Sequence, residues 1–125
     1  MFTYQAKVIN IVDGDTLDLL VYIAIDLVYT RRCRLLGLNC PEVHGETKEK
    51  GLDAKEYTEE RLIDKDVIIH VKGADAFGRW LTKIELDGKD FNQELIDKGF
   101  AVPFMVAENP FSPQKYIEEK FGWEQ

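Results

Sequence analysis

Five short segments rich in β-branched and aromatic residues, one Lys/Glu/Ala-rich stretch between the third and fourth, and a capped segment after the fifth predict a mainly β domain with helices. That order, β-β-β-α-β-β-α-α, is the order of an OB-type five-stranded barrel with about three helices. A chain of 125 residues is long enough for one such core and too short for two, so residues 1–125 are expected to form a single domain.

The first three strands are expected at 5–12, 16–25 and 28–36, where Val, Ile, Tyr and Leu dominate. Asp13-Gly14 is a strong turn dipeptide between the first two, and the Asp26-Leu27 step is expected to turn the second into the third. From residue 48 to 63 the composition becomes Lys, Glu, Ala and Leu, with Ala54, Thr58 and Leu62 at i, i+4 spacing beside Tyr57, the pattern of an amphipathic helix. Residues 67–71 and 80–86 are the fourth and fifth strands, the latter ended by Asp87-Gly88. Asp90 with Gln93 three residues on has the form of a capping box, and Gly99 suits the left-handed position that ends a helix, so a second helix is expected over 91–98. Pro113 suits the first turn of a last short helix ending near Gly122.

Hydrophobic residues make up 45% of the chain and charged residues 31%, with 16 Lys plus Arg against 23 Asp plus Glu and a net charge of −7. Such a balance argues against tight binding of nucleic acid by bulk charge, which needs clustered cations to release counterions, so any nucleic-acid contact must be local. Cys33 and Cys40 match neither a disulfide framework nor a paired metal motif and read as reduced thiols. The longest apolar stretch, 17–28, is interrupted by Asp18 and Asp26, and Met1 is followed by no basic start and apolar run. A cytoplasmic monomer without membrane contact is therefore expected.

Three motifs carry the chemistry. Asp13-Gly14-Asp15-Thr16 sets two carboxylates at i, i+2 across a Gly that lets backbone pass close to a ligand, a pattern suited to a hard cation such as Ca²⁺ or Mg²⁺. Alone it would read as an ordinary acidic turn. Residues 34–42 run Arg-Leu-Leu-Gly-Leu-Asn-Cys-Pro-Glu, and residues 75–79 run Asp-Ala-Phe-Gly-Arg. Two Arg and one Glu from separate segments, joined by a carboxylate turn, are what phosphoryl transfer needs: a base for water, planar cations for the equatorial oxygens and a divalent metal.

With these motifs in this order, the sequence resembles the staphylococcal nuclease (thermonuclease) family from about Val8 to Ala101, including the Asn-Gln-Glu-Leu stretch at 92–95 and the Gly99-Phe100-Ala101 step. The resemblance implies Ca²⁺-dependent hydrolysis of DNA or RNA at the 5′ P–O bond, leaving 3′-phosphate ends. It implies that Asp15 ligates the metal with Asp13 supporting it, that Asn39 and the Cys40 backbone carbonyl complete the ligand set, and that Glu42 is the general base. Arg34 and Arg79 would clamp the scissile phosphate, where a bidentate, always-charged group is required and Lys would be a poor replacement. Phe77 and Arg32 are assigned to substrate binding, Arg32 together with Arg31 as an extension of the phosphate patch.

The chain departs from the family pattern at five residues. Asn39 stands where a second carboxylate is usual, which implies weaker metal binding. Ala76 and Phe77 replace a common Lys and Tyr, and Met105 and Ala107 stand where a well-studied member has tyrosines flanking the nucleotide. An alternative is therefore a barrel that binds nucleic acid or protein with little or no hydrolysis, and a purely structural domain ranks after it. His44 and His70 match no ligand spacing, and Trp80 and Trp123 read as packing residues.

Overall fold

Alternation decides which way each strand faces, and the alternating residues converge on one interior. The computed structural model describes residues 1–104. In chain order it has β1 (Phe2–Asp13), β2 (Thr16–Ala24), β3 (Leu27–Leu35), β4 (Leu38–Asn39), a 3-10 turn (Gly45–Thr47), α1 (Lys48–Leu62), β5 (Asp66–Ala74), β6 (Trp80–Leu86), β7 (Lys89–Asp90), α2 (Phe91–Asp97) and β8 (Val102–Pro103). Leu17, Leu19 and Val21 of β2, Cys33 and Leu35 of β3, and Val67, Ile69 and Val71 of β5 all point inward, at the period of two that a half-buried strand requires.

Antiparallel pairing runs β3-β2-β1-β5-β6, and a three-residue parallel pairing of Cys33–Leu35 with Trp80–Thr82 closes the ring. The result is the five-stranded OB-type barrel expected from the sequence, with both helices among the described residues where they were expected. α1 lays Gly51, Ala54, Thr58 and Leu62 against the barrel at i, i+3, i+7, i+11. α2 starts where the Asp90 carboxylate accepts the Gln93 amide, and Gly99 follows it at φ +81.

Differences are confined to boundaries and short additions. The second turn occupies Ile25 and Asp26, one residue earlier than expected, because Ala24 pairs with Leu27 across a two-residue hairpin loop. β1 and β5 run longer than their apolar cores, since each finds a partner from Phe2 opposite Val71 to Lys7 opposite Asp66. β4 and β8, too short to be read in the sequence, pair Asn39 with Val102. The expected last helix, together with Met105, Ala107 and Trp123, lies outside the described residues. Among those described, no helix is long and apolar enough to cross a membrane.

Asn92 joins these layers. Its side-chain oxygen accepts the Ile84 amide and its nitrogen donates to the carbonyls of Leu36 and Thr82, so α2, β6 and the end of β3 share one buried amide. Arg61 and Tyr57 of α1 both donate to the Glu94 carboxylate of α2 at 2.7–3.0 Å, which ties the two helices together.

Candidate active site

The turn between β1 and β2 is the base of the site. Thr16 pairs with Arg34 across β2 and β3, so the residue just before Thr16 falls beside that arginine. Arg34 Nη1 lies 2.9 Å from Asp15 Oδ2, and Nη2 donates to the Asn39 Oδ1 on the neighbouring strand. Cys40 N–H donates to the same Asp15 Oδ2 at 2.8 Å, while Asp13 Oδ1 accepts the Asp15 amide at 3.1 Å. Asp13, Asp15, Arg34, Asn39 and Cys40 are thus one connected cluster. Cys40 enters it through its amide.

α1 fixes that turn from beneath. Thr58, fully buried, donates to the Gly14 carbonyl at 2.9 Å, and a Cβ on Gly14 would lie 2.9 Å from both Ala54 Cβ and Cys40 Sγ. Only Gly lets the acidic turn sit so close to helix and strand. One helical turn away, a Cβ on Gly51 would lie 2.1 Å from the Glu42 carbonyl oxygen, which also accepts from Thr47 Oγ1 at 3.0 Å. The Glu42 backbone is therefore held on two sides while its side chain is exposed and has no partner among the described residues.

Arg79 is organised separately. It stands just before β6, whose Leu81 pairs with Arg34, so it leaves the barrel at the edge that carries Arg34. Asp75 accepts Arg79 Nε at 2.7 Å and the amides of Phe77 and Arg79 at 2.9 and 3.0 Å, closing the loop around itself. Phe77 is 83% exposed, with the Arg79 guanidinium 5.3 Å from its ring centre. Arg32 lies on the outer face of β3, paired with Asp18 at 2.9 Å. Arg31 points to the other face, between the rings of Tyr29 and Trp80.

Burial dominates the electrostatics of the acidic turn. It pushes the Asp15 carboxyl up to about 6, with the neighbouring Asp13 carboxyl adding to the rise, while Arg34 and the Cys40 amide pull the other way. Burial likewise pushes the Cys40 thiol up to about 12, aided by Asp15 and Asp13, so it stays a neutral thiol and is no nucleophile.

Oxygen donors of the kind Asp15 and Asn39 bring suit a hard cation better than a softer metal. Carboxylate and amide oxygens of Asp15 and Asn39 converge on one guanidinium. Among the described residues no three His, Cys, Asp or Glu side chains gather as a metal cluster. Sequence reasoning named every member of the Asp15–Arg34 cluster but not its supports. Thr58 reads in the sequence as part of the packed face of α1, Gly51 carries no signal of its own, and Asp75 reads only as the first residue of its motif.

Two comparisons bear on the site. The model of the staphylococcal nuclease homologue family matches residues 32–122, a span that takes in Arg34, Asn39, Cys40, Glu42 and Arg79 and begins after the acidic turn. An uncharacterized protein of Methanocaldococcus jannaschii, MJ1439, is 31% identical over 125 residues, covering 78% of this chain. The chain spans 58% of the length of that relative.

Proposed function

Because this chain belongs to the staphylococcal nuclease homologue family, we propose that it is a Ca²⁺-dependent phosphodiesterase that hydrolyses DNA or RNA at the 5′ P–O bond and leaves 3′-phosphate ends. The observation that carries this reading is the contact of Arg34 with Asp15 and Asn39, which joins a phosphate-binding cation to the only charged oxygen donor of the proposed metal site.

Asp15, Asn39 and the Cys40 backbone would hold Ca²⁺, with Asp13 as the outer support. Bound Ca²⁺ would supply positive charge against the phosphoryl oxygens. The remaining work falls to the chain itself. Arg34 spends donors on Asp15, Asn39 and the Leu35 carbonyl, which locks its plane and leaves its other N–H groups for a phosphate oxygen. Arg79 spends Nε on Asp75 and has both Nη groups to offer, so two planar cations would bracket the charge that develops on the equatorial oxygens. Glu42, exposed on a backbone held by Thr47 and Gly51, would accept a proton from the attacking water. Phe77, open to solvent beneath Arg79, would lie against the sugar or base.

A second reading, a nucleic-acid or protein-binding barrel with little hydrolysis, is favoured by Asn39, which brings no charge and accepts from Arg34. One experiment separates them. Labelled single-stranded DNA, duplex DNA and RNA are incubated with protein and Ca²⁺ or excess chelator, with Glu42→Gln in parallel. Cleavage that needs Ca²⁺ and falls about 10²–10⁴-fold in Glu42→Gln is expected. Metal-sensitive retention of nucleic acid without cleavage would establish the binding module, and cleavage by Glu42→Gln at the wild-type rate would remove Glu42 from the mechanism.

A further inference from the structure

We propose that the edge of β3 left open among the described residues is a self-complementary interface, through which two copies of this chain, in place of the monomer expected from the sequence, pair antiparallel about a two-fold axis at Tyr29. The tip of the β2–β3 hairpin is apolar and open: Ile25 is 100% exposed, Leu27 53%, Val28 52% and Tyr29 44%. One edge of β3 is occupied along its length by β2. Among the described residues the other edge is paired only from Cys33 to Leu35, by β6, so the backbone of residues 27–32 is without a strand partner on that side. Edge strands that stay single are blunted by Pro, Lys, bulges or brevity, and residues 27–30, Leu-Val-Tyr-Thr, carry neither Pro nor charge.

Geometry selects the occupant and the register. Two equal strands meet edge to edge about a two-fold axis normal to the sheet, which puts odd residues opposite odd and even opposite even. Odd residues of β3, such as Cys33 and Leu35, face the interior, and even ones, such as Arg32, face out. Centring the axis on Tyr29 sets Val28 against Thr30 and Leu27 against Arg31 of the other copy. Moving it to Thr30 would drive Leu27 of the other copy opposite Cys33, where Trp80 already pairs. The Tyr29 register therefore takes as much of the edge as β6 leaves open.

Charge agrees with that register. It brings exposed Asp26, in the hairpin turn, next to Arg32 of the other copy, twice by symmetry. Arg32 is held by Asp18 through Nε and Nη2, so its remaining nitrogen is placed for a second carboxylate. A neutral apolar centre flanked by an acid at one end and an arginine at the other is complementary to its own antiparallel copy. The pairing leaves Arg34 and the acidic turn uncovered, since the partner strand ends before Cys33.

The test is sedimentation of the full chain over a wide concentration range, with circular dichroism to verify folding of each variant. A mass rising from 14.4 kDa toward twice that value is expected. Val28→Lys, which sets two new cations at the interface on an already exposed position, should weaken association at least about tenfold, and Asp26→Arg should weaken it too. Tyr29→Cys should cross-link to itself on mild oxidation, because paired residues on an antiparallel axis stand about 4.5–5.5 Å apart. Thr30→Cys should cross-link only when mixed with Val28→Cys. A chain of 14.4 kDa at every concentration would overturn the proposal. So would a dimer untouched by Val28→Lys that gave no Tyr29→Cys cross-link, since it would have to use another surface.

Discussion

Replacing Gly51 by Ala is expected to harm this protein, although the same change in an ordinary helix interior is stabilising. Gly costs a helix interior about 1 kcal/mol relative to Ala, so Gly51→Ala in an isolated α1 would gain that amount. In the folded chain the new methyl carbon would stand 2.1 Å from the Glu42 carbonyl oxygen, 2.5 Å from its carbon and 2.8 Å from the Val43 nitrogen. All three are backbone atoms, so no rotamer change relieves the overlap, and helix and loop must separate by more than an ångström. Overpacking of this kind costs about 1–3 kcal/mol, which offsets the propensity gain and leaves a net loss of up to about 2 kcal/mol. Because the atom displaced is the Glu42 backbone, the proposed activity should fall further than stability does, by about 10²-fold for a shift of that size in a well-folded protein. Urea unfolding gives the first quantity and initial cleavage rates at saturating Ca²⁺ the second. A Gly51→Ala protein that is about 1 kcal/mol more stable than wild type and cleaves equally fast would refute the reasoning.

Three further outcomes follow from the same geometry. Thr58→Val should destabilise the fold by about 1–3 kcal/mol, since it leaves the buried Gly14 carbonyl without its donor, and Thr58→Ser should recover most of that loss in urea titrations. If Asn39 ligates, Asn39→Asp should lower the Ca²⁺ concentration giving half-maximal cleavage; an unchanged titration would take Asn39 out of the ligand set. Hydrogen bonds from Arg61 hold the Glu94 carboxyl below its ordinary value, with Tyr57 assisting. The stability Glu94 contributes is thus present above the unfolded value of about 4.3 and is lost as pH falls below it toward the folded value. Glu94→Gln should flatten the acid limb of stability against pH, and parallel curves for the two proteins would show that the clamp between the helices contributes nothing.

The barrel was legible because its strands are independent local signals. Leu17, Leu19 and Val21 alternate, Asp87-Gly88 turns, and Asp90 with Gln93 caps, each without reference to distant chain. The bound at Ile25 was one residue off because turn position is decided by which residues pair, here Ala24 with Leu27. β4 and β8 were illegible for the same reason, being two residues each and existing only as partners. In the site, Arg34 and Asp15 were legible as motif members, whereas the contact between them depends on the register that sets Thr16 opposite Arg34.

The sequence by itself determined the order of the barrel's five main strands and of the two helices among the described residues, the family, and which residues meet in the Asp15–Arg34 cluster, since these rest on side-chain chemistry, motif and local periodicity. Tertiary structure alone decided that Asn39 faces a guanidinium and that Asp75 anchors Arg79. It also decided that Gly51, a poor helix former in the sequence, is the point where α1 touches the Glu42 backbone. Arg34 and Asn39 are five residues apart, Asp75 and Arg79 four, and Gly51 and Glu42 nine, yet their contacts depend on how the loops fold back and how closely backbones approach, which helix and strand periodicity does not encode.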